Sequence, residues 1–348
     1  MYGTTGAELR SQARLPGLGA AAGNIDLFQV RDGGHWLVAT GGRDVHAARI
    51  SPDAGTVFEE RRGWRLPYEG RLYVTPLACG GLAVSSGGAV ALHTADGGIA
   101  WTVPHGTWPG AATGGACAVD PRGGRLLAVT HDDTAGAPPQ DTLLALDLTT
   151  GEVLSRTVLP TRYGSYAFQH MLPACDRVLL NAAQGQDEAY SLIAAPRGDE
   201  WRLTTVGTFD EPFTGSSAGP ADFLAMAVGG ESLTRHFSGV EPVTSTAAEV
   251  LPDDLVFAGL PGFLEGVHIL TAAGEDAWAE ETRHFVLDAT TLRPVTELDY
   301  AGTGGPSPLP LGDGTWLTTE GDTVRRWSAV RARPRGAGNS QGAVIRGW

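Results

Sequence analysis

The chain has 348 residues, a formal charge of −14 and a pI near 5.0. It is long enough to bury a large core and too acidic for a nucleic-acid backbone, which calls for clustered cations. All 25 basic residues are arginine, which excludes lysine Schiff bases, lysine general bases and lysine phosphate clamps.

The 49 glycines and 22 prolines stand singly between apolar runs, the distribution of a turn-rich folded chain. Cys79, Cys117 and Cys175 are far apart with no C-x-x-C spacing, which suggests reduced thiols in a cytoplasmic protein. MYGTTGAELR lacks the charged-then-apolar pattern of a signal peptide, and no apolar run approaches the roughly 18 residues of a membrane helix. A soluble, cytoplasmic protein is expected.

In chain order the first extended segment is AELRSQARLPG (7–17). Then a unit recurs: an apolar strand closing on a small-residue turn, followed by a second short strand. Its copies are HWLVATGGRD (35–44), GLAVSSGG (81–88), RLLAVTHDD (125–133), RVLLNAAQGQD (177–187), DFLAMAVGGE (222–231), GVHILTAAGED (266–276) and TWLTTEGD (315–322). The spacing of about 41 to 53 residues is that of blade-type repeats. Most copies turn at Asp-Ala-Gly, Asp-Gly-Gly or Thr-Thr-Gly and run on as GIAWTVP or EVLSRTVLP. Alternating apolar residues between Gly/Asp turns signal half-buried antiparallel strands.

Four strands per unit, repeated about seven times, predict an all-β, seven-bladed β-propeller spanning residues 1–330. The last unit lacks an outer strand, because RARPRGAGNSQG follows TVRRWSAV. Residues 6–16 are therefore expected to complete it, with Glu8–Leu15 against Thr323–Val330, which removes two exposed sheet edges. Residues 331–348 form an arginine-rich C-terminal extension.

The strand–turn–strand form of LALDLTTGEVLSRTVL and VALHTADGGIAWTVP resembles the repeats of WD-type and quinoprotein-dehydrogenase-type propellers, over roughly residues 6 to 330. The resemblance implies a structural role for Asp44, Asp133, Asp187, Glu231, Asp276 and Asp322, accepting backbone N–H groups in their turns. No quinone cofactor is expected, since nothing here matches the cation and disulfide such enzymes carry beside it.

Propeller function lives on loops at one end of the channel. The connections from outer to next inner strand carry Tyr68, Glu69, Arg71, Trp108, Arg162, Tyr163, Asp210, Glu211, Phe213 and Tyr300. Gathered at one mouth, these would give aromatic walls with a few convergent polar groups, the make-up of a small-molecule or peptide pocket. The competing use of the aromatics is to fill the wedge between neighbouring sheets. In the inner strand YAFQHMLPA (166–174), Tyr166 and His170 share one face as candidate catalytic groups, with Gln169 a polar contact on the other. The remaining histidines are too dispersed for a metal cluster, no zinc spacing occurs, and neither a nucleophile elbow nor a phosphate loop is present.

Three functional readings follow: a scaffold binding a small molecule or peptide at the channel mouth; a lyase, cyclase or hydrolase of a specialised metabolite in the same channel; and a protein-assembly platform using the acidic rim or the C-terminal extension. None calls for a cofactor, a metal, nucleic acid or a membrane.

Overall fold

The structure is a computed structural model that describes residues 2–19, 25–108, 113–132, 140–160, 168–174, 177–184, 188–198, 200–207, 223–227, 229–237, 240–277, 279, 281–300 and 307–330. It is all-β. After β1 (Gly3–Arg14), the first sheet is the meander β2 (Ile25–Gln29), β3 (His35–Gly41), β4 (Asp44–Ile50) and β5 (Phe58–Arg65). The second holds β6 (Tyr73–Pro76), β7 (Leu82–Ser85), β8 (Ala89–His93) and β9 (Ile99–Pro104), and the third β10 (Cys117–Val119), β11 (Arg125–Asp132), β12 (Gln140–Asp147) and β13 (Val153–Val158). The fourth is β14 (Phe168–Ala174), β15 (Arg177–Gln184), β16 (Glu188–Arg197) and β17 (Glu200–Gly207). Three described strands follow: β18 (Phe223–Met226), β19 (Ser232–Phe237) and β20 (Val240–Thr246), then the short helix α1 (Ala247–Val250). The meander β21 (Val256–Glu265), β22 (His268–Gly274), β23 (Arg283–Asp288), β24 (Pro294–Tyr300) comes next, and β25 (Leu309–Pro310), β26 (Thr315–Glu320), β27 (Thr323–Ala329) end the described chain.

Burial within one sheet shows how the sheets stack. Strand β12 is buried along six successive residues, Asp141 to Leu146, so both of its faces are covered. Its neighbour β13 alternates strictly between half-buried and exposed, because an outer strand has one face in water. The apolar clusters lie between successive sheets: Trp36 and Val38 of the first meet Leu82 and Val84 of the second, and Ala83 and Trp101 meet Leu126 and Leu144 of the third. Another joins the end of the chain to its beginning, packing Leu309, Leu317 and Val324 on Leu37, Ala48 and Phe58. Each fully buried large side chain contributes roughly 1.5–3 kcal/mol. Four-stranded antiparallel sheets packed face to face, with the last against the first, make a propeller-like fold.

Strand β1 lies antiparallel to β27, Ala7–Arg14 opposite Thr323–Ala329 with a bulge between Leu9 and Ser11. It also does something the sequence did not announce. Its first part, Gly3–Ala7, runs parallel to Thr296–Tyr300 of β24, so the last two meanders merge into one eight-stranded sheet. A second clasp is Arg326 on β27, 1% exposed, whose guanidinium reaches the Ser51 carbonyl at 2.5 Å in the first sheet.

Of the expected turn acids, Asp133 and Asp187 lie outside the described residues. Asp322 accepts the N–H of Gly19, not of its own turn. Own-turn acceptors sit in other hairpins: Asp147 takes the N–H groups of Thr149 and Thr150, and Asp288 those of Thr290 and Thr291. A Thr-Thr turn one residue beyond a strand-final Asp presents two N–H groups to one carboxylate, and that geometry selects these residues.

Close backbone approach explains the Gly114–Gly115 pair before β10. A Cβ on Gly115 would stand 2.1 Å from the Val129 carbonyl oxygen. Gly115→Ala is expected to cost about 1–3 kcal/mol by forced backbone displacement, read as a lower urea midpoint.

Candidate functional site

Backbone hydrogen bonds bring two kinds of loop to one end of the sheets. The residue after each of two outer strands bonds to the hairpin between the second and third strands of its own sheet: Leu66 N–H to Arg43 O in the first sheet, and His105 N–H to Gly88 O in the second. The interstrand connections and these hairpins therefore share a surface.

Two shallow hollows open there. One is lined by Tyr68, Glu69, the hairpin Ser86, Gly87, Gly88 and Ala89, and Thr107. The other, beside it in sequence, is lined by Thr40, Gly42, Gly70, Arg71 and Leu72. Tyr68 is half-buried, its ring edge-on to His93 with centroids 5.8 Å apart, and burial pushes its phenol above the ordinary range. Glu69 is exposed and ion-paired with Arg43. The Arg71 guanidinium lies 5.4 Å from the centre of the Tyr73 ring. These loops thus supply a phenol and a carboxylate to one hollow and a guanidinium to the other, with Arg43 paired to Glu69.

Trp108 and Tyr300 sit elsewhere. Trp108 is 2% exposed in the core between the third and fourth sheets, and its indole N–H donates to Asp141 Oδ1 at 2.9 Å. The same oxygen is 2.8 Å from His131 Nδ1, with both side chains at 0% exposure. An oxygen that already accepts from the indole and also faces Nδ1 fixes the tautomer: Nδ1 carries the proton. Burial pushes the Asp141 carboxyl upward against the hydrogen bonds from His131 and Trp108. His105 packs edge-on against Trp108, and its pKa is lowered chiefly by burial.

Tyr300 packs in the core between the last two meanders. Its hydroxyl receives the Trp316 indole N–H at 2.9 Å and lies 2.6 Å from His284 Nδ1, and burial drives its pKa far upward. Both aromatics fill wedges between sheets, and their polar atoms are engaged inside.

The backbones of Gln169 and His170 lie on β14 opposite Ala182 and Asn181. The side chains of Gln169 and His170, and all of Tyr166, Arg162, Tyr163, Asp210, Glu211 and Phe213, lie outside the described residues. Sequence reasoning missed the buried Asp141–His131–Trp108 network. Its signal was Asp141 at the head of the apolar run TLLAL, a place where a carboxylate needs partners. Among the described residues no group of histidine, cysteine and carboxylate side chains could hold a metal ion. Cys117 is buried, with its thiol pushed up to about 11 by desolvation. Among those residues no helix is long and apolar enough to cross a membrane.

No protein-family model matches the sequence, and no curated protein matches it. Among solved structures the chain is similar to a puromycin-hydrolyzing peptidase of Mycobacterium tuberculosis, with 13% identity and a TM-score of 0.53 over 91% of this chain and 53% of that one. The chain therefore spans about half the length of that peptidase. A protein of unknown function from Bacteroides caccae aligns over 76% of this chain and 93% of its own, at 17% identity and a TM-score of 0.41. At 13% identity the likeness to the peptidase is one of fold.

Proposed function

We propose that the chain is a seven-bladed β-propeller acting as a recognition module, which binds a peptide or small molecule on the face carrying its interstrand connections. The blade count is supported by the apolar clusters between successive sheets, with β18–β20 as the fifth blade and β25–β27 with β1 as the seventh. The observation that carries the function is the hollow in which Tyr68 and Glu69 meet the Ser86–Ala89 hairpin and Thr107. It joins elements from successive blades, presents a half-buried phenol, and is open to solvent. The acid–base pair of the third sheet, His131 with Asp141, is by contrast sealed from any substrate.

Thermal-shift screening against peptide and metabolite libraries tests this reading. A stabilising ligand is expected to lose at least about tenfold in affinity, roughly 1.4 kcal/mol, in the Tyr68→Ala, Glu69→Gln double variant. Equal affinity of the two proteins would move the site away from this hollow. The similarity to a peptidase favours a peptide as the ligand and motivates a second reading, hydrolysis, in which His170 and Tyr166 would be the candidate groups. Incubation with puromycin and short peptides separates the two: binding without turnover supports the module, and product release supports the hydrolase.

A further inference from the structure

The outer edge of the sixth meander already holds an added strand. Residues Gly3–Ala7 lie along β24 in parallel register, and the Thr296 hydroxyl donates to the Gly3 carbonyl at 2.8 Å and lies 2.9 Å from the Thr5 hydroxyl. Ahead of them the Tyr2 ring stands edge-on to Phe285, with centroids 5.8 Å apart and planes at 90°. That seat is rigid. Arg283 grips Glu297 through two bonds of 2.8 and 2.7 Å, reaches Asp253 at 2.8 Å, and lies 5.4 Å from the Phe285 ring centre.

The occupant is held far less firmly than its seat. Of Gly3–Ala7 only Ala7 is buried, and parallel pairing is the weaker ladder per residue. Beyond Ala7 the same strand passes to β27, where Ala7–Arg14 hold it independently. Residues 2–5 can therefore lift while Ala7–Arg14 and the Val330 N–H bond to the Gly6 carbonyl keep the closing strand in place, a local opening of low cost.

We propose that the β24 edge and the Phe285–Arg283 seat form a strand-docking site, occupied in cis by residues 2–7. When residues 2–5 lift, the site takes an extended peptide from a partner by strand addition: an aromatic residue, then small and hydroxyl-bearing residues. The segment already in place defines this chemistry, since Tyr2 meets Phe285 while Gly3 and Thr5 meet the Thr296 hydroxyl. The aromatic supplies the anchor and the backbone supplies the ladder.

The probe is a fluorescein-labelled peptide of residues 2–8, YGTTGAE, read by fluorescence polarisation against the full chain and a variant lacking residues 1–6. The truncated variant is expected to bind at least about tenfold more tightly than the full chain, and a probe with alanine for the tyrosine is expected to lose that binding. A folded truncated variant that ignores the peptide, or equal binding by both proteins, overturns the proposal. So does self-association of the truncated variant in place of peptide binding, seen by sedimentation. If truncation impairs folding, Tyr2→Ala in the full chain must still raise the affinity for the probe, and no rise overturns the proposal.

Discussion

Replacing Arg326 with alanine is expected to cost about 3 kcal/mol or more. Its guanidinium is 1% exposed and makes four contacts: Nε to Thr315 Oγ1 at 3.0 Å, one terminal nitrogen to the carbonyls of Ser51 at 2.5 Å and Asp53 at 3.3 Å, and the other to Asp313 Oδ2 at 2.6 Å. Asp313 is 45% exposed, so its carboxylate regains water once the arginine is gone. The cost therefore falls on the orphaned Ser51 carbonyl, an unmet polar group counting about 1–3 kcal/mol, and on the void, while the Thr315 hydroxyl keeps its bond to Asp313 Oδ1. Asp313→Asn should cost only about 1 kcal/mol, since it weakens one half-solvated pair. Urea midpoints of the two variants check the order. Equal losses would mean that the ion pair, and not the bridge to the first sheet, holds the ring shut.

Asp141→Ala is expected to lose a further-reaching contact set, again by about 3 kcal/mol, because it strands the buried Trp108 N–H and the His131 Nδ1–H together. Asp141→Asn keeps an acceptor oxygen in place and should stay near wild type. The pair also predicts a pH effect with a definite sign. An unfolded aspartate titrates near 3.9, and burial in the folded protein raises the Asp141 value above that. Between the two values the folded state holds more protons than the unfolded one, so stability from this residue falls as pH rises through that window. Measured against Asp141→Asn, which has no such proton, the wild type should lose relative stability from pH 4 upward and then level off. A relative gain over that range would show that the charged carboxylate is favoured in place.

Much of the architecture was written locally. The alternation of Val153–Val158, the apolar run Leu143–Leu146 beside it, and the turns that punctuate each meander all depend on a strand's own residues and its immediate partner. The approach of Ala7–Arg14 to Thr323–Ala329 was legible because the final repeat visibly lacked a strand and the chain offered one. The candidate site was legible only in part. Tyr68, Glu69 and Arg71 do lie at the loop surface, whereas Trp108 and Tyr300 occur in loops of the same character but point into the core.

By itself, then, the sequence determined the all-β repeat, its hairpins and the strand that meets its end. Those features follow from a two-residue side-chain period and from turn chemistry, which need nothing beyond neighbouring residues. Only the tertiary structure decided that Trp108 meets Asp141, that Arg326 reaches a carbonyl 275 residues away, and that Gly3–Ala7 joins β24. Those partners lie far from one another along the chain, and which group meets which is set by how the strands and sheets come together, a relation no local pattern encodes.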